Sequence, residues 1–147
     1  MSRICVFFGH RDCPADLSEQ LDNVIRRAVT EENIDTFWCG GMGDFDHQAA
    51  EAVRRMKKEF PHLRLELALA YLPPAPDERH QRYDATFFPD GLETVPKRYA
   101  ISRRNAWLAR HCDLVICYTA FSWGGAYQAV QQAQRKHKTI WNLAEQK

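Results

Sequence analysis

The loop after the first apolar run carries reactive side chains in the segment His10-Arg-Asp-Cys13. A cysteine paired with a histidine can act as a nucleophile, and the same loop together with Asp46 and His47 could bind a metal ion. No helical or CxxC spacing fixes either arrangement, because the residues are merely neighbours in a loop. We therefore expect no metal site, and we interpret the loop as a turn that contacts a ligand.

Two further loops are rich in glycine. The first is Cys39-Gly-Gly-Met-Gly-Asp-Phe-Asp46, which holds three of the seven glycines, and the second is Thr119-Ala-Phe-Ser-Trp-Gly-Gly125. Both precede segments with helical periodicity, so each helix N-terminus could offer free N–H groups to a phosphate. Neither loop matches the GxGxxG or P-loop pattern. A turn that needs glycine only for its backbone is the alternative for each loop.

A basic cluster lies in another helical segment, at Lys97, Arg98, Arg103 and Arg104, next to Asn105. Arginine suits paired hydrogen bonds to phosphate, and asparagine can both donate to and accept from a base or ribose. The alternative is an ordinary solvated helix face.

Apolar runs and amphipathic segments alternate along the chain and position these loops. The runs typical of strands cover 3–8, 34–39, 65–71, 113–118 and 139–143, and helical periodicity covers 17–33, 97–111, 125–136 and the segment after the first glycine loop. Asp44 or Asp46 could cap the helix after that loop. This alternation, with strands apolar on both faces, predicts an α/β fold of three layers, Rossmann-like, with a mainly parallel sheet.

In an open parallel sheet, ligands bind beyond the carboxyl ends of the strands. The loops 9–14, 39–46, 72–76 and 119–125 leave those ends, and three of the four contain glycine. We therefore expect a crevice with these ligand-binding residues: Gly9, His10, Arg11, Gly40, Gly41, Gly43, Asp46, Asn105, Ser122, Gly124 and Gly125. The segment 72–96 holds five of the seven prolines and is interpreted either as a lid or wall over a pocket or as a surface excursion.

Composition narrows the class of partner. The 147 residues suit a single domain over 1–147, and 20 Lys and Arg against 19 Asp and Glu leave a net charge of +1. A nearly neutral chain lacks the field that attracts nucleic acid, so we expect none to bind, and no apolar run is long enough to cross a membrane. Five cysteines without CxxC spacing argue against disulfides and structural zinc. We expect a cytoplasmic protein without a cofactor.

Four motifs in order resemble the SLOG superfamily, which includes DprA, the LOG phosphoribohydrolases and small YpsA-like bacterial proteins. The similarity is greatest to the YpsA-like group and covers about residues 3–143. The motifs are a G-H-R-D turn at 9–12, a Gly-x-Phe-Asp element ending at Asp46, Arg104-Asn105 followed by Asp113-Leu-Val-Ile116, and Gly124-Gly-Ala-Tyr127. The resemblance implies a Rossmann-like fold that binds nucleotides or nucleotide-derived ligands.

The LOG enzymes cleave the N-glycosidic bond of a nucleoside monophosphate with an Arg before the fourth strand and a Glu after it. Arg104 matches that Arg by position and is the catalytic candidate, whereas Val130 and Gln131 stand where the acids would fall. A neutral amide stabilises an oxocarbenium ion poorly. The proline before the glycine pair is replaced by Trp123, whose ring could stack on a base or simply pack.

Two functions are consistent with the resemblance. The first is a binding protein for a nucleotide or nucleotide-derived metabolite, acting as a sensor or regulatory module. The alternative is a LOG-like nucleoside 5′-monophosphate N-glycosidase (phosphoribohydrolase) in which Glu51, Asp44 or Asp46 supplies the missing carboxylate. Because LOG proteins pair through helices, the resemblance also suggests a homodimer.

Overall fold

A computed structural model of the chain describes residues 2–13, 15–71 and 78–145. Its strands are β1 Ile4–Gly9, β2 Thr36–Cys39, β3 Arg64–Ala68, β4 Ala85–Phe87, β5 Leu114–Tyr118 and β6 Thr139–Asn142. Its α-helices are α1 Ser18–Glu31, α2 Asp44–Glu59, α3 Lys97–His111 and α4 Gly125–Arg135. Short 3-10 helical turns cover Glu78–Arg82, Leu92–Thr94 and Leu143–Glu145.

The strands form one parallel sheet in the order β4-β3-β2-β1-β5-β6. The chain adds strands outward from β1 to β4, then crosses back and places β5 on the free side of β1. The strand order therefore reverses between β1 and β5, where Gly9 pairs with Tyr118. The predicted three-layer, Rossmann-like α/β fold with a mainly parallel sheet is confirmed.

The apolar residues of β1 explain why the helices form two layers. Cys5 and Phe7 belong to the core that α1 and α2 cover, whereas Val6 and Phe8 belong to the core that α3 and α4 cover. Successive strand residues point to opposite faces of a sheet. A continuous apolar run therefore supplies both cores at once, which is why it indicates a strand buried on both sides.

The edge strand β4 is the element that the sequence does not predict. It has three residues and pairs with β3, next to a 3-10 turn that an ion pair and hydrogen bonds attach to α2. Arg82 Nη2 in this turn, for example, lies 2.8 Å from a carboxylate oxygen of Glu51 in α2. The described part of the 72–96 segment thus extends the sheet, while residues 72–77, including the whole loop predicted at 72–76, lie outside the described residues.

The predicted cap of α2 is wrong. The N-cap residue is Gly43, which has no side chain to offer, and Asp44 and Asp46 lie inside the first turn. Their carboxylates accept hydrogen bonds from backbone N–H groups of earlier loop residues: Asp44 from Cys13 at 3.1 Å and Asp46 from Met42 at 3.1 Å. The two carboxylates therefore stabilise the neighbouring loops rather than cap the helix.

All five cysteines are buried and unbridged. Over the described ranges, none of the helices is both long and apolar enough to cross a membrane.

Candidate functional site

A crevice of about 560 Å³ opens at the carboxyl ends of β1 and β5, where the strand order reverses. Its volume lies within the range of small-molecule sites. Its walls are the end of β1 with the following loop, the 39–46 loop, the middle of α3, and the 119–125 loop with the first turn of α4. The topology thus joins parts of the chain that are more than 100 residues apart, as the hydrogen bond from Ala120 to His10 shows.

Most of the predicted site residues line this crevice. They are Gly9, His10, Arg11, Gly40, Asp46, Arg104, Asn105, Gly124 and Gly125. Gly41 and Gly43 do not line it: a Cβ at Gly41 would lie 2.7 Å from Leu67 Cδ1, and one at Gly43 would lie 2.7 Å from Arg11 Cα. Ser122 is exposed and lines a separate groove beside α4.

Arg104 is the one member of the basic cluster that lines the crevice, and protein acceptors occupy most of its donors. It is 5% exposed. Its Nη1 donates to the carbonyl oxygens of Gly40 and Ala68, both at 3.4 Å, and its Nε and Nη2 donate to Asn105 Oδ1 at 3.3 and 3.2 Å. A guanidinium has five N–H donors, so the described residues leave one Nη2 hydrogen for a ligand. Burial lowers the pKa of Arg104 from its ordinary value.

Asp46 supplies a carboxyl group in the same crevice. Burial raises its pKa to about 6, against the opposing effects of the Met42 N–H and the positive charge of Arg104. A carboxyl group with such a pKa is present in both protonation states near neutral pH. It can therefore exchange a proton with a bound molecule, which is a property of general acids and bases.

Gly9 and Gly40 line the crevice with their backbone because side chains of the protein occupy the space beside them. A Cβ at Gly9 would overlap the ring of Phe45, and one at Gly40 would lie 2.7 Å from Arg104 Nη2. Gly124 and Gly125 differ, since apart from the adjoining residues and the backbone of α4 no described atom lies within 4 Å of a Cβ at either position. Only the second pair leaves room for a ligand against the backbone.

Three rings stack along the 119–125 side of the crevice. The His10 and Phe121 rings are 3.7 Å apart and 5° from parallel, and the Phe121 and Trp123 rings are 4.1 Å apart and 27° from parallel. Trp123 is 67% exposed. A column of stacked rings therefore extends from the buried His10 to solvent, and the exposed Trp123 ring forms its aromatic surface.

The thiol and metal interpretations of the first loop gain no geometric support. Cys13 is buried, and burial raises its pKa, so the thiol stays protonated. Its Sγ lies 4.0 Å from the Ala15 carbonyl oxygen. Among the described residues, no group of three or more His, Cys, Asp or Glu side chains could hold a metal ion.

The sequence reasoning missed the apolar part of the crevice. Phe121 and Met42 line it from the loops, and Ile101 and Leu108 line it from α3. The signal for Phe121 was its place two residues before Trp123, in a loop that leaves a strand end. The remaining basic residues, Lys97, Arg98 and Arg103, are exposed, as the alternative of a solvated helix face expects.

Comparisons with known proteins give structural matches alone. No family model matches the sequence, and neither does a curated protein. Among solved structures, DprA from Streptococcus pneumoniae matches with a TM-score of 0.71 and 16% identity over 96% of this chain. The match covers 50% of that DprA chain, so the present chain spans about half its length.

Two other structures have the same fold. The molybdenum cofactor carrier protein from Chlamydomonas reinhardtii matches with a TM-score of 0.62 and 14% identity, over 98% of this chain and 78% of its own. DprA from Helicobacter pylori, described as binding single-stranded DNA, matches with 0.63 and 17% over 95% and 64%. Identities this low establish the fold alone. The chain therefore shares the Rossmann-like fold of these proteins, as its sequence predicted.

Proposed function

We propose that the protein binds a nucleotide or nucleotide-derived metabolite in the crevice between β1 and β5 and acts as a sensor or regulatory module. The observation that carries the proposal is the 119–125 loop. It presents a stacked aromatic surface and an unobstructed glycine backbone to one cavity. A planar base and a phosphate are the two chemical parts for which such a loop is suited.

The base is assigned to the aromatic surface. Trp123 is exposed and stacks on Phe121, so one face of its indole ring is available to a planar ligand. Stacking of a base on an aromatic side chain is tolerant of base identity. We therefore expect purine and pyrimidine nucleotides to bind with similar affinities.

The phosphate is assigned to the first turn of α4. Gly124, Gly125 and Ala126 line the crevice, and the first N–H groups of a helix lack partners within the helix. The positive end of the helix dipole adds to the attraction. Arg104 contributes charge and one free hydrogen rather than a two-pronged contact, because its other donors are engaged by Gly40, Ala68 and Asn105.

The test compares Ala126→Glu with Ala126→Gln, which differ in charge and hardly in shape. Thermal shift and calorimetry measure binding of AMP and of adenosine. We expect the Glu variant to bind AMP at least about tenfold more weakly than the Gln variant, since a carboxylate near the helix N-terminus repels phosphate yet stabilises the helix. Adenosine should bind both variants equally. Equal AMP affinity in the two variants would remove the phosphate from this turn.

The second candidate is a nucleoside 5′-monophosphate N-glycosidase, and Asp46 is the observation that favours it. Its carboxyl group lines the crevice with a pKa of about 6, close to Arg104, and so offers the acid or base that the α4 side lacks. In this mechanism Asp46 would activate water or stabilise the oxocarbenium ion while Arg104 supplies positive charge. Glu51 is engaged by Arg54 and Arg82, and Asp44 by Cys13.

Incubation of the protein with each of the common nucleoside 5′-monophosphates separates the two candidates. The enzyme candidate expects free base and ribose 5-phosphate, with release abolished by Asp46→Asn while AMP binding persists. Binding without base release by the wild-type protein leaves the sensor function.

Nucleic acid belongs in the same test, because a protein with this fold is described as binding single-stranded DNA. A thymidine oligonucleotide that bound more tightly than AMP would replace the mononucleotide as the proposed ligand. The homodimer, the cytoplasmic location, the absence of a cofactor and the single domain over 1–147 stay predictions.

A further inference from the structure

We propose that neutral His10 is a positioning residue, which holds Phe121 and Trp123 in place, and that protonation of its ring releases the aromatic surface and weakens binding of a planar ligand. The part that concerns the ligand rests on the proposed function. The part that concerns the rings does not, so the two can be tested separately.

The first support is a hydrogen bond of fixed direction. The backbone N–H of Ala120 points to His10 Nε2 at 2.9 Å. A backbone N–H can only donate, so Nε2 is the acceptor and the ring proton resides on Nδ1. His10 also donates its own N–H to the carbonyl oxygen of Tyr118 at 3.3 Å. The neutral histidine thus links the end of β1 to the 119–125 loop from both its backbone and its ring.

The second support is the order of the rings. His10 is 7% exposed, and its ring lies parallel to that of Phe121 at 3.7 Å. Trp123 stacks on the same Phe121 at 4.1 Å. Because two rings at such short distances cannot share one face, Phe121 lies between His10 and Trp123. Movement of the buried ring is therefore transmitted to the exposed one.

Protonation would oppose this arrangement. The imidazolium has an N–H at both nitrogens, so Nε2 would face the Ala120 N–H as a second donor, and that pair would be forced apart. Burial already lowers the pKa of His10. The neutral form therefore persists at neutral pH and is lost on acidification below the ordinary histidine value.

The charged groups that share the crevice with the His10 ring come from three elements. The loop after β1 contributes Arg11 and Asp12, α2 contributes Asp46, and α3 contributes Arg104, all of which line the same crevice. On the side of β5, Tyr118 meets the ring edge-on, at 88°, and the 119–125 loop contains no charged residue. Asp46, whose pKa is raised to about 6, also titrates on acidification, so it has to be separated from His10 by substitution.

The ligand-free test follows the fluorescence of Trp123, obtained as the difference between the wild-type protein and Trp123→Phe, from about pH 8 to pH 5. We expect a transition with its midpoint below the ordinary histidine pKa. His10→Gln should abolish the transition, because the amide oxygen can accept from Ala120 and does not titrate. Asp46→Asn should retain it. A transition that survives in His10→Gln, or none in the wild-type protein, overturns the inference.

The ligand test uses adenosine, which carries no titrating phosphate. We expect its affinity for the wild-type protein to fall at least about fivefold between pH 8 and pH 5, and to change less than about twofold for His10→Gln. A pH-independent wild-type affinity contradicts the coupling between His10 and the ligand. Failure of adenosine and AMP to bind at pH 8 contradicts the proposed function instead, and the fluorescence transition still decides the role of His10.

Discussion

Two helices of this protein begin at glycines with nearly the same backbone conformation. Gly43 precedes α2 with φ 91° and ψ 174°, and Gly124 precedes α4 with φ 95° and ψ 172°. This region of backbone space is almost closed to residues with a side chain. Both helices follow strands that end at the same edge of the sheet, so local structure does not distinguish the two loops.

The residues packed around the two loops distinguish them. A Cβ at Gly43 would lie 2.7 Å from the Cα of Arg11, and the Asp44 N–H donates to the Arg11 carbonyl oxygen at 2.8 Å, so the 39–46 loop is packed against the chain. Apart from the adjoining residues and the backbone of α4, no described atom comes within 4 Å of a Cβ at Gly124 or Gly125. The same glycine signal therefore has two meanings: in the first loop it permits close packing, and in the second it leaves space beside a helix N-terminus.

The largest difference between the two loops is expected when alanine replaces the glycine before each helix. Gly43→Ala should lower the free energy of unfolding by about 4 kcal/mol, because it adds backbone strain of about 2 kcal/mol to an overlap of about 2 kcal/mol with Arg11. Gly124→Ala should lose the strain alone, about 2 kcal/mol. Urea denaturation of both variants measures the difference.

The matched conformation makes the pair its own control. Equal losses of stability would mean that Gly43 is needed for its dihedral angles only, and the distinction between a packed loop and an open one would disappear. A larger loss of stability for Gly124→Ala would mean that the 119–125 loop is the packed one.

The sequence contained enough information for the fold, for reasons visible in particular elements. β1 and β5 are continuous apolar runs because each is covered on both faces, and α3 has the predicted bounds, Lys97–His111. β4 was not predicted, because three residues at a sheet edge are too few to show an alternation of apolar and polar residues. Long apolar runs and helices of several turns could be predicted, and the short edge strand could not.

The site could be predicted in part. Loops that leave parallel strands must meet at one edge, which brought His10, Gly40 and Gly125 into one prediction. The state of each side chain depends on partners far along the chain. Arg104 is held by carbonyl groups 64 and 36 residues away, and no local pattern indicates that its donors are already used.

The 39–46 loop should also make the stability of the fold depend on pH, through Asp46. Its folded pKa of about 6 lies above the ordinary 3.8, so the fold favours the protonated form. That contribution is complete below the ordinary pKa and is lost as pH rises through about 6. Wild-type stability relative to Asp46→Asn should therefore fall by about 2 to 3 kcal/mol between about pH 4 and pH 8.

Denaturation at several pH values measures this difference between the two proteins. A difference that grows with pH would mean that Asp46 is charged and stabilised in the fold, and the assignment of a proton to it would be wrong. Asp44→Asn serves as the comparison, since Asp44 is exposed in the same helical turn.

A smaller effect on stability is expected at Gly40, whose backbone faces the crevice while the Arg104 side chain fills the space beside it. Gly40→Ala places a methyl group 2.7 Å from Arg104 Nη2, and the guanidinium must move away from the Gly40 and Ala68 carbonyl groups. A flexible side chain can yield, so we expect a loss of about 1 to 2 kcal/mol. The double variant with Arg104→Lys should lose less than the sum of the two single variants. Additive losses would separate Gly40 from Arg104.

The smallest stability effect is expected at Gly125, where the comparison between the two loops predicts a role in ligand binding. Gly125 is the first residue of α4 and has no described neighbour within 4 Å of a Cβ, so Gly125→Ala should stay within about 0.5 kcal/mol of the wild-type free energy of unfolding. Its methyl group would point into space that the ligand needs, and AMP affinity should fall about tenfold. Gln128→Ala, on the exposed side of the same helix, should change neither quantity. Loss of stability without loss of affinity would give the 119–125 loop the same role as the 39–46 loop, because its glycines would then serve packing and not a ligand.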